Sequence, residues 1–442
     1  MPRCPILTPL RLLLAALTLS GPFSSIARAE GFAWVQLGPD DKISVRAVVE
    51  DATCPALTAD GAPLAMSVRA DANTHIGNIR NKLPPDKNDF SKVIVCEASV
   101  PPATMRLLQG DQPLPLPPHE IRRIVMFGDT GCRLKIGKDY EELQDCNDKD
   151  AWPYAKVARH AADENPDLVI HVGDYAYRES ACPSPRRDCA GNWGYGYDSW
   201  KADFFEPSRP LLARAPWIMV RGNHENCDRA GEGWFRFLDH GAVPKDCADL
   251  TGFFVIKRSD LGFVVMDNAA ADETRPADVK GQTVELLRRQ FRATVSDIPQ
   301  QAWLLAHRPV NALRFDSAAG SRSDNDIEQN AIGRDLPSSV RMVVSGHIHI
   351  FEALSFEGRP PQLVVGTGGD NLEDLPPQKS IGVRINGAKV RQGLVLARFG
   401  YTVWDKDAAG WKARVFDDDR RQLASCTLER RNLACKGRTE AE

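Results

Sequence analysis

Asp129, Asp174, Asn223, His307, His347 and His349 are all residues of metal-binding type, and each follows a short apolar run closely. Ile121–Phe127 ends at Gly128-Asp129-Thr130-Gly131, Leu168–Val172 at Gly173-Asp174, and Trp217–Val220 at Arg221-Gly222-Asn223-His224. Trp303–Ala306 ends at His307, and Val340–Val344 at Ser345-Gly346-His347. Singly these are weak signals. A Gly-Asp is ordinarily a turn, a His-x-His ordinarily two solvent-facing imidazoles, and Asn-His a common loop start. Five such endings in one chain would require five independent coincidences. Hard oxygen donors come early and imidazoles late, which suits two adjacent divalent or trivalent ions. A carboxylate shared between the ions would set them about 3.5–4 Å apart, the spacing of two-metal hydrolases.

The elements that must hold these residues follow from the runs themselves. Short strands that are apolar on both faces need a sheet covered on both sides. In such sheets ligands gather outside the carboxyl ends of the strands, where several loop starts converge. Trp152–Asp163 and Thr283–Val295 read as helices between the runs, and Phe253–Lys257 with Phe263–Asp267 as a hairpin turning at Asp260-Leu261-Gly262. The expected class is α/β, with stacked mixed sheets flanked by helices. Residues 30–112 contain no helix-period run; Phe32–Leu37, Ile43–Val49 and Lys92–Glu97 alternate between turns, which predicts a small N-terminal β-domain. Residues 113–118 (Pro-Leu-Pro-Leu-Pro-Pro) read as a stiff linker, 119–400 as the main domain, and 401–442 as a β-rich tail.

In their order, Gly128-Asp129-Thr130-Gly131, Gly173-Asp174, Gly222-Asn223-His224-Glu225, His307 and Gly346-His347-Ile348-His349 resemble the motifs of the calcineurin-like metallophosphoesterases. Within that superfamily, Gly173-Asp174-Tyr175-Ala176-Tyr177 is similar to a motif of purple acid phosphatases. The resemblance covers roughly residues 121–370, and the larger purple acid phosphatases also carry an N-terminal β-domain. Two blocks depart from the family pattern: the first reads GDTG, and His307 lies in Ala306-His307-Arg308-Pro309.

The resemblance implies a calcineurin-like two-sheet sandwich and a place for each residue. Asp129, Asp174, Tyr177 and His349 would hold the first metal, with Asp174 bridging to a second completed by Asn223, His307 and His347. The Tyr177 phenolate would favour Fe3+, beside a divalent Zn, Fe or Mn; as a residue among Tyr175, Tyr195 and Tyr197 it could instead line the pocket wall. His224 would contact the phosphate, together with Asn223, and protonate the leaving group. The two cations would offset the charge of a small phosphorylated substrate and acidify a bound water into the attacking hydroxide. Phosphate monoesters are the expected substrates. Phosphodiesters of nucleotides or phospholipid headgroups are the alternative, and a noncatalytic protein with structural metals is a third reading that turnover would exclude. The aromatic stretch Asn192–Trp200 could rim the substrate pocket or plug the space between sheet and helix. Arg308 could touch substrate or be a surface charge.

Composition and the first residues set the context. Of 442 residues 43% are hydrophobic and 26% charged, with a net charge of −3, so no basic excess exists to grip a nucleic-acid duplex. Arg3 and Arg11 precede the apolar run Leu12–Leu19, and Ala27-Arg28-Ala29 is a small-x-small pattern. Residues 1–29 therefore read as a signal peptide cleaved after Ala29, and the product as secreted or periplasmic, with no later membrane span. Beyond Cys4, ten of the 11 cysteines fall in local couples: Cys54/Cys96, Cys132/Cys146, Cys182/Cys189, Cys227/Cys247 and Cys426/Cys435. An even count in an exported chain predicts disulfides. The absence of Cys-x-x-Cys argues against a zinc ribbon.

Overall fold

The computed structural model describes Met1 and residues 31–50, 53–316, 320–324, 326–375 and 380–438. The expected signal peptide lies outside the described residues.

Two large sheets stack face to face. The second runs Phe253–Arg258, Leu261–Met266, Ala302–Ala306, Val340–Ser345, Gln362–Val365, Phe351–Phe356, Ala388–Leu396, Arg384–Ile385. In the first, Arg123–Phe127, Leu168–His171 and Trp217–Met219 lie side by side and parallel. Strand periodicity decides which side chain enters which layer. Ile124 and Met126 join Leu168, Ile170, Phe263, Trp303, Leu305, Met342 and Val344 in the core between the sheets. Their neighbours Val125, Phe127 and Val169 point the other way, against Val157, Ala158 and Ala161 of the helix Tyr154–Asp163. On the far side of the second sheet Val264, Leu304, Ala306 and Val343 meet Leu287 and Phe291 of the helix Ala277–Thr294. Both faces of each central strand are dry, as the apolar runs require.

The N-terminal and C-terminal strands belong to this same architecture. Gly31–Leu37 pairs in parallel with Trp217–Met219, with Gln36 opposite Trp217, and Ile43–Val49, Ile94–Ser99 and Ser67–Ala70 follow it outward. On the opposite edge Gly400–Lys406 pairs with Arg123–Phe127, followed by Trp411–Asp417, Gln422–Glu429 and Asn432–Gly437, completing eleven strands. The proline-rich stretch begins inside a strand, Gln112–Leu114, of a separate four-stranded sheet. All five cysteine couples are bridged. No described helix is long and apolar enough to cross a membrane.

Candidate metal centre

The five loops meet because the strands that precede them run in one direction within each sheet. Backbone bonds lace the loops together: Asp129 N donates to Gly173 O at 2.9 Å, Thr130 N to Asp174 O at 3.0 Å, and Gly346 N to His307 O at 2.9 Å. Asp129, Asp174 and His347 each adopt a left-handed backbone, with φ of 58°, 60° and 71°. Residues with side chains tolerate that region at a cost, and such strain gathers at functional sites. The glycines beside them serve close approach. A Cβ on Gly222 would strike the Asp174 carboxylate, and one on Gly346 the Asp129 carboxylate.

Asp174 is the hub. Its Oδ2 accepts from the Tyr177 hydroxyl at 2.7 Å and lies 3.1 Å from His307 Nε2, while its Oδ1 accepts from the His224 amide at 2.8 Å. To one side, Tyr177 Oη lies 3.1 Å from Asp129 Oδ1 and 3.1 Å from His349 Nε2, which itself is 3.3 Å from Asp129 Oδ1. To the other, His307 Nε2 is 3.1 Å from Asn223 Oδ1, and donor atoms of Asp174, His307 and His347 all lie within 4.8 Å of one another. The Asp129 and Asp174 carboxylates are buried. One phenol proton cannot serve both of them and an imidazole as well. Buried acceptors in excess of protons are a cation site by composition, so the donor set fits two ions, with Asp174 shared.

The histidines are oriented from behind. His307 Nδ1 is 2.8 Å from Val172 O and His349 Nδ1 is 2.8 Å from Asn371 O. A carbonyl can only accept, so each Nδ1 carries the proton and each Nε2 faces the centre. Burial opposes a charged His349, but Asp370 and Asp129 outweigh it and raise its pKa to about 9. Burial, Arg308 and His307 keep His347 neutral, far below the usual imidazole range. Burial, with Asp174 and Asp129, pushes the Tyr177 phenol well above its ordinary value; a bound cation would reverse that sign.

The structure brings every sequence-predicted residue to this cluster, His224 included. Its ring packs 3.9 Å from that of Tyr177, and its Nε2 is 4.0 Å from Asp174 Oδ2. Four residues that sequence reasoning missed support the cluster. Glu179 Oε1 lies 2.9 Å from His224 Nδ1. Glu225 accepts four backbone amides, from Asp174, Tyr175, Ala176 and Gly222, clamping two ligand loops. Arg133 stacks on the Tyr177 ring at 4.3 Å and forks onto Asp370, which sits 3.5 Å from His349 Nδ1. Glu225 was visible as the end of its motif; the other three had no sequence signal. The aromatic stretch is mostly plug: Tyr195, Tyr197 and Trp200 are buried, and Trp193 remains half-buried under Lys87.

Comparison with known proteins agrees with this geometry. Solved structures that the fold resembles include a purple acid phosphatase from yellow lupin (Lupinus luteus) seeds, with a TM-score of 0.58 at 15% identity over 93% of this chain and 75% of that one. PhoD gives 0.56 at 12% identity, covering 92% of each chain. Those identities speak for the fold alone. No curated protein matches the sequence. The family model of calcineurin-like phosphoesterases matches residues 122–351, more than half of the chain. Because that span contains every loop converging on Asp174, the chain belongs to the calcineurin-like phosphoesterases, metal-dependent hydrolases of phosphoric esters.

Proposed function

We propose that the protein is an exported phosphatase that hydrolyses phosphate monoesters at a dinuclear centre of purple acid phosphatase type. Asp129, Asp174, Tyr177 and His349 hold Fe3+ in this reading, and Asp174, Asn223, His307 and His347 hold Zn, Fe or Mn. The observation that carries it is the position of Tyr177 Oη, within 3.1 Å of Asp129, Asp174 and His349. The likeness to the lupin enzyme's fold and the five disulfides, which form in oxidising compartments, support the class and the export.

When bound, the two ions supply charge neutralisation for the phosphoryl oxygens and an acidified water as nucleophile. The chain's own groups do the rest. Glu179 faces Nδ1 of His224, so Nε2 is the atom presented to the leaving group. Burial and Arg229 hold the substrate-free imidazole neutral, with a pKa of about 3, against the pull of Asp174 and Glu179. A phosphate dianion arriving beside Nε2 works the other way, so His224 takes up its proton with the substrate and donates it to the departing oxygen.

Metal analysis with a substrate pair tests the reading. The expected result is iron plus a divalent ion, visible absorption from the phenolate, and faster turnover of p-nitrophenyl phosphate than of bis-p-nitrophenyl phosphate. Tyr177→Phe should keep the fold and lose the colour. A colourless protein with full ferric occupancy would defeat the phenolate assignment, and preference for the diester would move the substrate class to phosphodiesters.

A further inference from the structure

We propose that Arg308 is the substrate-sensing cation of this centre and selects monoester dianions over diester monoanions. The inference rests on the phosphatase reading above and deepens it.

Arg308 directly follows His307 and is 9% exposed. Its backbone is pinned on both sides by the buried Asn268: the Arg308 amide donates to Asn268 Oδ1 at 3.2 Å, and Asn268 Nδ2 donates to Arg308 O at 2.9 Å. Asn268 is in turn held by Glu328 Oε1 at 2.8 Å. The guanidinium so fixed has no ion-pair partner among the described residues, and its Nε is buried without a hydrogen-bond partner. Asp272 senses its charge but is engaged by Thr274 and Arg275. A buried cation left without an anion is costly, and proteins keep one where an anion arrives.

A hydrogen bond of the guanidinium points to where that anion sits. Its Nη1 is 3.0 Å from Nε2 of His347. Once His347 binds an ion this nitrogen cannot accept a guanidinium proton: either its lone pair holds the metal, or Nδ1 holds it and Nε2 carries the ring proton. Loading the site therefore frees Nη1 at the ring of His347, at the edge of the cluster formed with Asp174 and His307. A monoester has three terminal oxygens sharing two charges, whereas a diester has two sharing one. Beyond the oxygens that the metal pair engages, a monoester still offers the guanidinium an anionic acceptor, and a diester offers an esterified, nearly neutral one. Charge-assisted hydrogen bonds discriminate strongly between those two acceptors.

The test uses metal-loaded full-length protein, Arg308→Met and Arg308→Lys. Calorimetry with inorganic phosphate should show Arg308→Met binding about 10- to 100-fold more weakly than wild type, the range of a charged hydrogen bond. Metal content should be unchanged, and Arg308→Lys should regain part of the loss. For p-nitrophenyl phosphate kcat/KM should fall in parallel, while for bis-p-nitrophenyl phosphate it should change by less than about 3-fold. Metal-free Arg308→Met should melt no lower than wild type, since no ion pair of the side chain is found among the described residues. Unchanged phosphate affinity, equal losses on both esters, or loss of a metal ion would overturn the proposal. A wild-type protein that hydrolyses neither ester would instead sink the phosphatase reading, and the calorimetric comparison would still decide the role of Arg308.

Discussion

At Asp174 a single carboxylate faces Tyr177 and His307 through one oxygen and the His224 amide through the other, so both halves of the cluster depend on one side chain. His224 stands beside that carboxylate and has no place in the proposed ligand set, which would separate its chemistry from metal binding. We expect His224→Ala to retain both metals and to lose about 10²–10⁴-fold in kcat, the usual worth of a general acid. The loss should grow with the pKa of the leaving group; equal losses across a series of phenyl and alkyl phosphates would remove the acid role. His349 supports a second expectation. Its raised pKa of about 9 means that the charged imidazole's pairing with Asp370 and Asp129 stabilises the metal-free fold fully below pH 6.5 and is lost as pH rises through 9. A metal ion needs the nitrogen that proton occupies. Loading at pH 7 should therefore release about one proton from this residue, and metal affinity should weaken as pH falls. Titration in weak buffer measures the release, and proton-free uptake would contradict it.

Strand ends were the part of the element scale legible from sequence. Ile43–Val49 was plain because its residues alternate between turns, and Leu168–His171 because an apolar run closed by Gly and Asp leaves little else to form. The residues gathered at the centre were legible for the same reason. Glu179, Arg133 and Asp370 were not, because a side chain that acts through another residue needs no motif spacing, only proximity the fold creates. The aromatic stretch was ambiguous on composition; tertiary packing decided it, with Trp200 set against Tyr175 and Phe237. Glu225 is where element and residue meet, since its carboxylate joins the loop after Leu168–His171 to the loop after Trp217–Met219. A glutamine there would turn an amide group toward two backbone N–H donors. Each buried unsatisfied polar group costs about 1–3 kcal/mol. Glu225→Gln should therefore bind metal more weakly and melt lower than wild type, both visible by metal analysis and thermal unfolding. Retention of full metal content at wild-type stability would show that the clamp is dispensable.

Across the whole molecule, strands within residues 31–99 extend the sheet whose strand ends lead to Asp129, Asp174 and Asn223. Phe32 and Trp34 pack against Phe205 at 5.2 and 5.7 Å between ring centres, inside the same core as Phe127 and Trp217. Arg46 donates to the carbonyls of Phe237 and Asp239 at 2.6 and 2.7 Å, and Arg69 to those of Phe235 and Arg236 at 2.8 and 3.0 Å. Those carbonyls lie at the carboxyl end of the helix Gly231–Phe237, where backbone acceptors lack partners and a positive charge is favoured. That helix follows the loop bearing Asn223 and His224, so the N-terminal strands hold the far end of an element whose near end adjoins the cluster. A chain beginning at residue 119 would leave Trp217–Met219 as an exposed sheet edge and strip Phe205 and Phe237 of their cover. We expect it to express as aggregate, since long apolar edges recruit other chains. The milder variant Arg46→Met leaves the Phe237 carbonyl without its side-chain donor, while Glu97 and the Asp239 carbonyl keep Arg69, and an unsatisfied buried polar group costs about 1–3 kcal/mol. It should fold, melt well below wild type, and lose activity at temperatures where wild type is still active. A soluble, monodisperse and active 119–438 fragment would show that the N-terminal strands are an independent domain after all.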